Sequence, residues 1–217
     1  TVCTVTADCG DDIINGAFSL CENLERTLSK TVTDSDVYKL NNTEGFVSVS
    51  DGTLKTVERA LYYSELSGGK FDITIAPVSA LWDFKNQVIP SRDEISEALQ
   101  NVDYHSIEIK NGEISSGTKQ IDLGGIAKGY IADRATEYLK ENGAANALVN
   151  FGGNICMIGE YNIGIQKPFD DSVIASIALK DKCVVTSGIY ERYIESDGKI
   201  YHHILDPKTG YGAENEL

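Results

Sequence analysis

Apolar residues recur at helical spacing in the first part of this chain and at strand spacing in the last. That order restricts the folds open to it. Ile13, Ala17, Leu20, Cys21, Leu24 and Leu28 share one helical face, predicting an amphipathic helix over residues 11–28. Leu54, Val57, Leu61 and Leu66 predict a second helix from Thr53, stopped by Gly68-Gly69. A short helix should follow Pro90-Ser91, and another should run from about Ile126 to Glu141 with Tyr130, Ile131, Ala135, Tyr138 and Leu139 buried. Strands are expected early at 1–6, 46–50 and 71–75, the last broken at Pro77, with a hairpin over 107–114 about Asn111-Gly112. From Ala147 onward the pattern is mostly β: 148–151, 155–158, 162–166, 173–179, 184–186 and a hairpin across Ser196-Asp197-Gly198. Helices grouped early and strands grouped late favour an α+β fold over regular βαβ alternation.

The 217 residues are 41% apolar, enough for one substantial core or one core with a smaller lobe. No repeat or evident linker divides them, so a single domain over 1–217 is expected. The formal charge is −14 and no Lys/Arg cluster offsets it, which excludes nucleic acid as a partner. An anionic ligand would need local donors or a divalent cation. No apolar stretch reaches transmembrane length and the first residues carry no signal-peptide pattern, so any leader is expected to have been removed. Cys3, Cys9, Cys21, Cys156 and Cys183 form no CxxC pair, which argues against zinc, and are expected to be mostly small core residues.

The run Ile121-Asp122-Leu123-Gly124-Gly125-Ile126-Ala127-Lys128-Gly129-Tyr130 has the form of a strand end, a carboxylate, a paired-glycine turn and a helix start. Main-chain N–H groups and a helix N-terminus there suit a phosphate or pyrophosphate, although the glycines could equally serve the turn alone. It is neither a Walker A loop nor G-x-G-x-x-G. In Phe71-Asp72-Ile73-Thr74-Ile75, a strand would put Asp72 and Thr74 on one face, as a surface strand also would. Gly152-Gly153 between two strands reads as a ligand loop or as a bulge or tight turn. Thr186-Ser187-Gly188 ends an apolar strand with hydroxyls, but no nucleophile elbow surrounds Ser187. His202 and His203 precede Asp206-Pro207-Lys208-Thr209-Gly210, which is good turn chemistry. Adjacent strand side chains face opposite ways, so one of the two histidines at most should face a given cleft; the pair is the natural place for a general base.

Five ordered segments together resemble the ApbE family, the FAD:protein FMN transferases: GGKFDITIAPVSALWDF, IDLGGIAKGYIADRATEYL, LVNFGGNI, VVTSGIYERY and YHHILDPKTG. Leu28-Ser29, Asp34-Ser35-Asp36 and Leu40-Asn41 fit the family's serine–asparagine loop. The resemblance covers nearly the whole chain. It implies an α+β, T-fold-related mixed sheet with flanking helices and an FAD cleft between its parts. The implied activity is Mg²⁺-dependent transfer of FMN from FAD to a Thr or Ser hydroxyl of an acceptor flavoprotein, releasing AMP. Hydrolysis of FAD to FMN and AMP, or flavin binding with impaired catalysis, are the alternatives. It further implies a bacterial protein outside the cytoplasm, with membrane anchoring through a removed N-terminal lipid signal. Carried over by position, Phe71, Asp72, Thr74, Asp122, Lys128 and Ile204 would contact FAD. Gly125 would offer its carbonyl to Mg²⁺, and His203 takes the position of the family's proposed base.

Three departures accompany the resemblance. Val2-Cys3-Thr4 stands where the family has Met-Gly-Thr, and the aromatic expected after Ser29 is replaced near Thr31. The chain also ends at Leu217, before the family's strand and helix whose Asp and Thr side chains are the main metal ligands. Weak Mg²⁺ affinity and impaired turnover are the resulting expectations.

Overall fold

The computed structural model describes residues 2–170 and 172–214. The expected strand start at Thr1 and the chain end at Leu217 lie outside the described residues. In chain order, β1 (Cys3–Ala7) and α1 (Asp11–Leu28) are followed by α2 (Asp36–Asn42), β2 (Val47–Ser48) and α3 (Asp51–Leu66). A 3₁₀ turn at Ile73–Ile75 leads into α4 (Ala76–Ser79), α5 (Arg92–Leu99), and the hairpin of β3 (Glu108–Lys110) and β4 (Glu113–Ser115). Then come α6 (Ala127–Glu141), β5 (Ala147–Phe151), β6 (Asn154–Ile158), β7 (Glu160–Gln166) and β8 (Val173–Lys180). β9 (Cys183–Val185), β10 (Tyr193–Ser196) and β11 (Lys199–His202) close the order. The α+β class is as the sequence predicts, with the strands spread over four sheets whose ladders among the described residues are all antiparallel.

The chain forms two compact units. The first comprises Thr1–Arg26 and Ile126–Gly188. Its sheet has the order β1-β5-β6-β9, and one row of opposed residues crosses it: Val5, Val149, Cys156, Cys183. Val149 and Cys156 are buried, as are Ala132, Ala135 and Leu139 of α6 and Ala17 of α1. These residues lie at helical spacing on α6, so the same stripe that makes it amphipathic supplies this core. The β7–β8 hairpin is a separate two-stranded sheet and leaves Val173 and Ile174 exposed.

The second unit comprises Thr27–Gly125 and Ile189–Leu217. Ser35, Ser50 and Ser91 cap α2, α3 and α5, each accepting a backbone N–H three residues on; Glu94 completes a capping box with Ser91. Val37, Leu40, Val57, Ile73, Val78, Ile114, Ile121 and Leu123 are among its fully buried side chains. A further cluster of Trp82, Ile95 and Ile194 packs with Phe84, Tyr201, Leu205 and Tyr211, and Trp82 Nε1 donates to the Gly210 carbonyl at 3.0 Å. No helix among the described residues is long and apolar enough to cross a membrane.

Several local expectations change. Residues 71–75 are not a strand. The Asp72 carboxylate accepts from the Thr74 N–H at 2.7 Å and so turns the chain into 3₁₀ geometry, and Pro77 sits in the first turn of α4. The stretch matched to the family's serine–asparagine loop contains the helix α2, because Ser35 caps a short run in which Val37 and Leu40 are buried. Ile121–Leu123 joins no ladder. The cysteines are not mostly core residues: Cys3 is exposed, Cys9 and Cys21 are half-buried, and Cys156 and Cys183 form a cross-strand disulfide. Gly152-Gly153 is the two-residue turn joining β5 to β6, both glycines having positive φ.

Candidate functional site

Asp122 is held by its neighbours in sequence and by two distant segments. Ile121 and Leu123 are buried to within 1% of full burial, each anchoring the segment with about 1.5–3 kcal/mol of apolar transfer. Between them Asp122 faces outward, half-buried. The side-chain amide of Asn41 takes the place of a neighbouring strand: Nδ2 donates to the Ile121 carbonyl at 2.9 Å, and Oδ1 accepts the Ile121 N–H at 2.7 Å. The Asp122 N–H in turn donates to the Ile73 carbonyl at 2.7 Å. The Asp122 carboxylate accepts the Gly124 N–H at 2.8 Å and pairs with Lys30 Nζ at 2.6 Å. At Gly125 a Cβ would stand 3.0 Å from the Phe71 ring, so glycine is what lets the turn pack on that aromatic.

Asp72 and Thr74 lie beneath this segment in the chain's hydrogen-bonding rather than on an open face. Both are buried. Asp72 also accepts from the Thr74 hydroxyl at 2.6 Å and the Tyr104 N–H at 3.2 Å, and Thr74 Oγ1 accepts the Asp103 N–H at 2.8 Å. Their polar atoms are satisfied internally, and they fix the carbonyl of Ile73 that receives Asp122.

The two histidines diverge as strand alternation requires. His202 is buried against Gly212, its Nδ1 is the one buried side-chain nitrogen or oxygen among the described residues without a hydrogen-bond partner, and burial holds its pKa below the usual imidazole value. His203 is half-buried. Its Nδ1 lies 3.2 Å from the Arg192 carbonyl, which can only accept, so the proton sits on Nδ1 and Nε2 carries the basic lone pair. Its ring meets Phe84 edge-on with centroids 6.4 Å apart. Phe84 also lines a cavity of about 490 Å³ with Trp82, Lys85, Glu191, Arg192 and Tyr193. Ile204 is half-buried, its carbonyl accepting the Ala213 N–H at 2.8 Å.

In the first unit, α6 begins at Ala127, and Ile126 in the N-cap position offers no side-chain hydrogen bond to the helix's first N–H groups. Lys128 is exposed in that first turn. The Thr186 N–H donates to the Gly153 carbonyl at 3.2 Å, and the Asn150 carboxamide accepts the Gly153 N–H at 3.1 Å. Gly153 has φ of 87°, and a Cβ there would sit 3.2 Å from Thr186 Oγ1. The second glycine pair and the Thr186-Ser187 turn are thereby one local structure, and Gly129 of α6 lies beside Asn154 at its edge.

Octahedral Mg²⁺ needs several hard oxygen ligands. Gly125 offers one main-chain carbonyl. The one group of three His, Cys, Asp or Glu side chains close enough to share an ion, among the described residues, is Asp133, Cys156 and Cys183 in the other unit. The described residues therefore do not complete an Mg²⁺ site. The sequence pattern does not mark Lys30, and it marks Asn41 only as part of the family's serine–asparagine loop; their partners Asp122 and Ile121 lie at least eighty residues away.

The ApbE family model matches residues 1–217. The chain is 37% identical over 210 residues to the FAD:protein FMN transferase of Klebsiella pneumoniae (strain 342), covering 92% of this chain and 66% of that protein. It is 33% identical to the one from Treponema pallidum (strain Nichols), covering 92% and 63%. It thus spans a little under two thirds of the length of these relatives. Its fold is similar to the crystal structure of the ApbE protein of Thermotoga maritima, with a TM-score of 0.88 and 35% identity over 96% of this chain and 73% of that one. The flavin transferase ApbE from Vibrio cholerae gives a TM-score of 0.86 at 26% identity, over 98% and 75%. A model matched from end to end, relatives above 30% identity and a shared fold converge on one assignment: the chain belongs to the ApbE family.

Proposed function

We propose that this chain transfers the FMN half of FAD to a Ser or Thr hydroxyl of an acceptor protein and releases AMP. The observation that carries the reading is His203, whose Nδ1 faces the Arg192 carbonyl, which fixes the tautomer with the basic lone pair on Nε2. Relatives named FAD:protein FMN transferase match 92% of the chain and support the substrate pair. In the proposed step the acceptor hydroxyl oxygen forms a bond to the FMN-side phosphorus and its proton passes to His203 Nε2. The bond from that phosphorus to the bridging oxygen breaks, and AMP leaves with the bridging oxygen. Phe71, Asp122 and Ile204 are assigned to contact with FAD, Lys30 to balancing the Asp122 charge, and Asp72 and Thr74 to holding the segment in place.

Mg²⁺ dependence belongs to the same proposal, with Gly125 offering its carbonyl. The described residues do not complete a site for the ion. The test incubates the chain with FAD, Mg²⁺ and a candidate acceptor, then reads acceptor mass and soluble products. An FMN-sized mass gain with AMP release is expected. Free FMN and AMP without acceptor modification would make the chain a hydrolase, and intact bound FAD would make it a carrier. Either result overturns the transfer reading.

A further inference from the structure

Asp133, Cys156 and Cys183 come together from three elements: α6, the buried strand β6 and the edge strand β9. Asp133 Oδ1 lies 3.6 Å from Cys156 Sγ and 3.5 Å from Cys183 Sγ. A disulfide has no proton to offer that oxygen, so these two separations are not thiol hydrogen bonds. The distances carry a more specific message. Tetrahedral Zn²⁺, with Zn–S of about 2.3 Å and Zn–O of about 2.0 Å, places sulfur and oxygen ligands about 3.5 Å apart and two sulfurs about 3.8 Å apart. Both sulfur–oxygen separations already match. Only the two sulfurs must part, and side-chain rotation of the exposed Cys183 can do this at the sheet edge.

We propose that these three residues form a metal site for a thiophilic divalent cation of the zinc class, present when the cysteine pair is reduced and closed when it is oxidised. Cys156, Cys183 and Asp133 supply two thiolates and a carboxylate; with Cys183 and Asp133 exposed, water takes the fourth position. Opening the site consumes one dithiol reductant. The S–S bond gains two electrons and two protons to give two thiols, and the reductant closes to its own disulfide. On metal binding both thiols release their protons to solvent. The site is independent of flavin transfer, and it ties β9 to the sheet in either form. β9 leads directly into Thr186-Ser187, so the same residues also set where that turn is anchored.

The test uses the intact chain with a phosphine reductant, which takes up oxygen from water as the disulfide becomes two thiols. Zinc uptake is then read by competition with a chromophoric chelator, and thiols are counted by alkylation and mass. The reduced chain should take up one tight equivalent of Zn²⁺ that the oxidised chain does not. Cys183→Ser should lose that equivalent. Asp133→Asn, an isosteric change at an exposed position that leaves the fold's apolar contacts alone, should weaken it by at least about tenfold. Equal uptake by oxidised and reduced protein, retention of the equivalent in Cys183→Ser, unchanged affinity in Asp133→Asn, or failure to obtain two new thiols in the folded chain would each overturn the proposal.

Discussion

Replacing Asn41 by Ala tests how the Asp122 segment is held. Asn41 satisfies both main-chain groups of Ile121, and Ile121 is fully buried, so neither group has solvent to turn to. Each orphaned buried group costs about 1–3 kcal/mol, and some relaxation toward water lowers the sum, so Asn41→Ala should destabilise the second unit by about 2–4 kcal/mol. That is a large part of the 5–15 kcal/mol typical of a domain. Asn41→Asp should cost differently: it keeps an acceptor for the Ile121 N–H but sets a carboxylate oxygen against the Ile121 carbonyl. At neutral pH it should therefore fall no closer to the parent than Ala does. Urea unfolding with and without FAD measures both, and FAD should bind more weakly to either variant because Asp122 follows Ile121. A loss below about 1 kcal/mol in Asn41→Ala would refute the reasoning, since two desolvated groups cannot be abandoned so cheaply.

Other outcomes follow from the same geometry. His203→Ala should slow flavin transfer by about 10²–10⁴-fold with FAD affinity nearly unchanged, read by acceptor mass over time; the parent rate would remove the base assignment. Lys30→Met should shift unfolding by no more than about 1 kcal/mol, because the pair is partly exposed, yet raise the FAD dissociation constant about five- to thirty-fold by leaving Asp122 unbalanced near phosphate. Gly153→Ala should destabilise by about 1–3 kcal/mol in thermal unfolding, from positive φ and the contact with Thr186. His202 is held neutral by burial, so its contribution to stability is full above the unfolded imidazole pKa of about 6.5 and declines as pH falls below it, where the unfolded chain takes up the proton first. The difference in urea midpoint between parent and His202→Phe should therefore change between pH 7.5 and 5, and a constant difference would contradict the burial account.

Periodicity placed α1, α3 and α6, because a helix that packs along one stripe records that stripe in its spacing. Pro90-Ser91 marked the start of α5, and apolar runs marked the late strands, of which β8 is nonetheless exposed along nearly its whole length. The Asn-Gly hairpin was equally plain, since Asn111 and Gly112 supply the two positive φ values that turn requires. Alternation parts the two histidines, but tertiary packing decides which is buried: His202 closes β11 against Gly212. Where the reading failed, a side chain had replaced main-chain pairing. Asp72 bent a five-residue alternation into a 3₁₀ turn, and Asn41 stood in for a strand beside Ile121. Neither substitution changes the hydropathy pattern, so neither is visible in it.

The candidate site divides along the same line. The carboxylate, the paired glycines, the lysine and the histidine could be named from the order of residues, because chemistry of that kind depends on residue type and short spacing. Lys30 against Asp122 and Thr186 against Gly153 depend on chain segments brought together from afar, and the Arg192 carbonyl that sets the tautomer of His203 depends on the register of the β10–β11 hairpin. The cysteines show the contrast most directly. Their spacing argued against a zinc site, and in sequence Cys156 and Cys183 are 27 residues apart with Asp133 another 23 residues before Cys156. Only antiparallel pairing of β6 with β9 under α6 sets two sulfurs and a carboxylate within bonding reach of one ion, because linear spacing carries no information about which strands become neighbours.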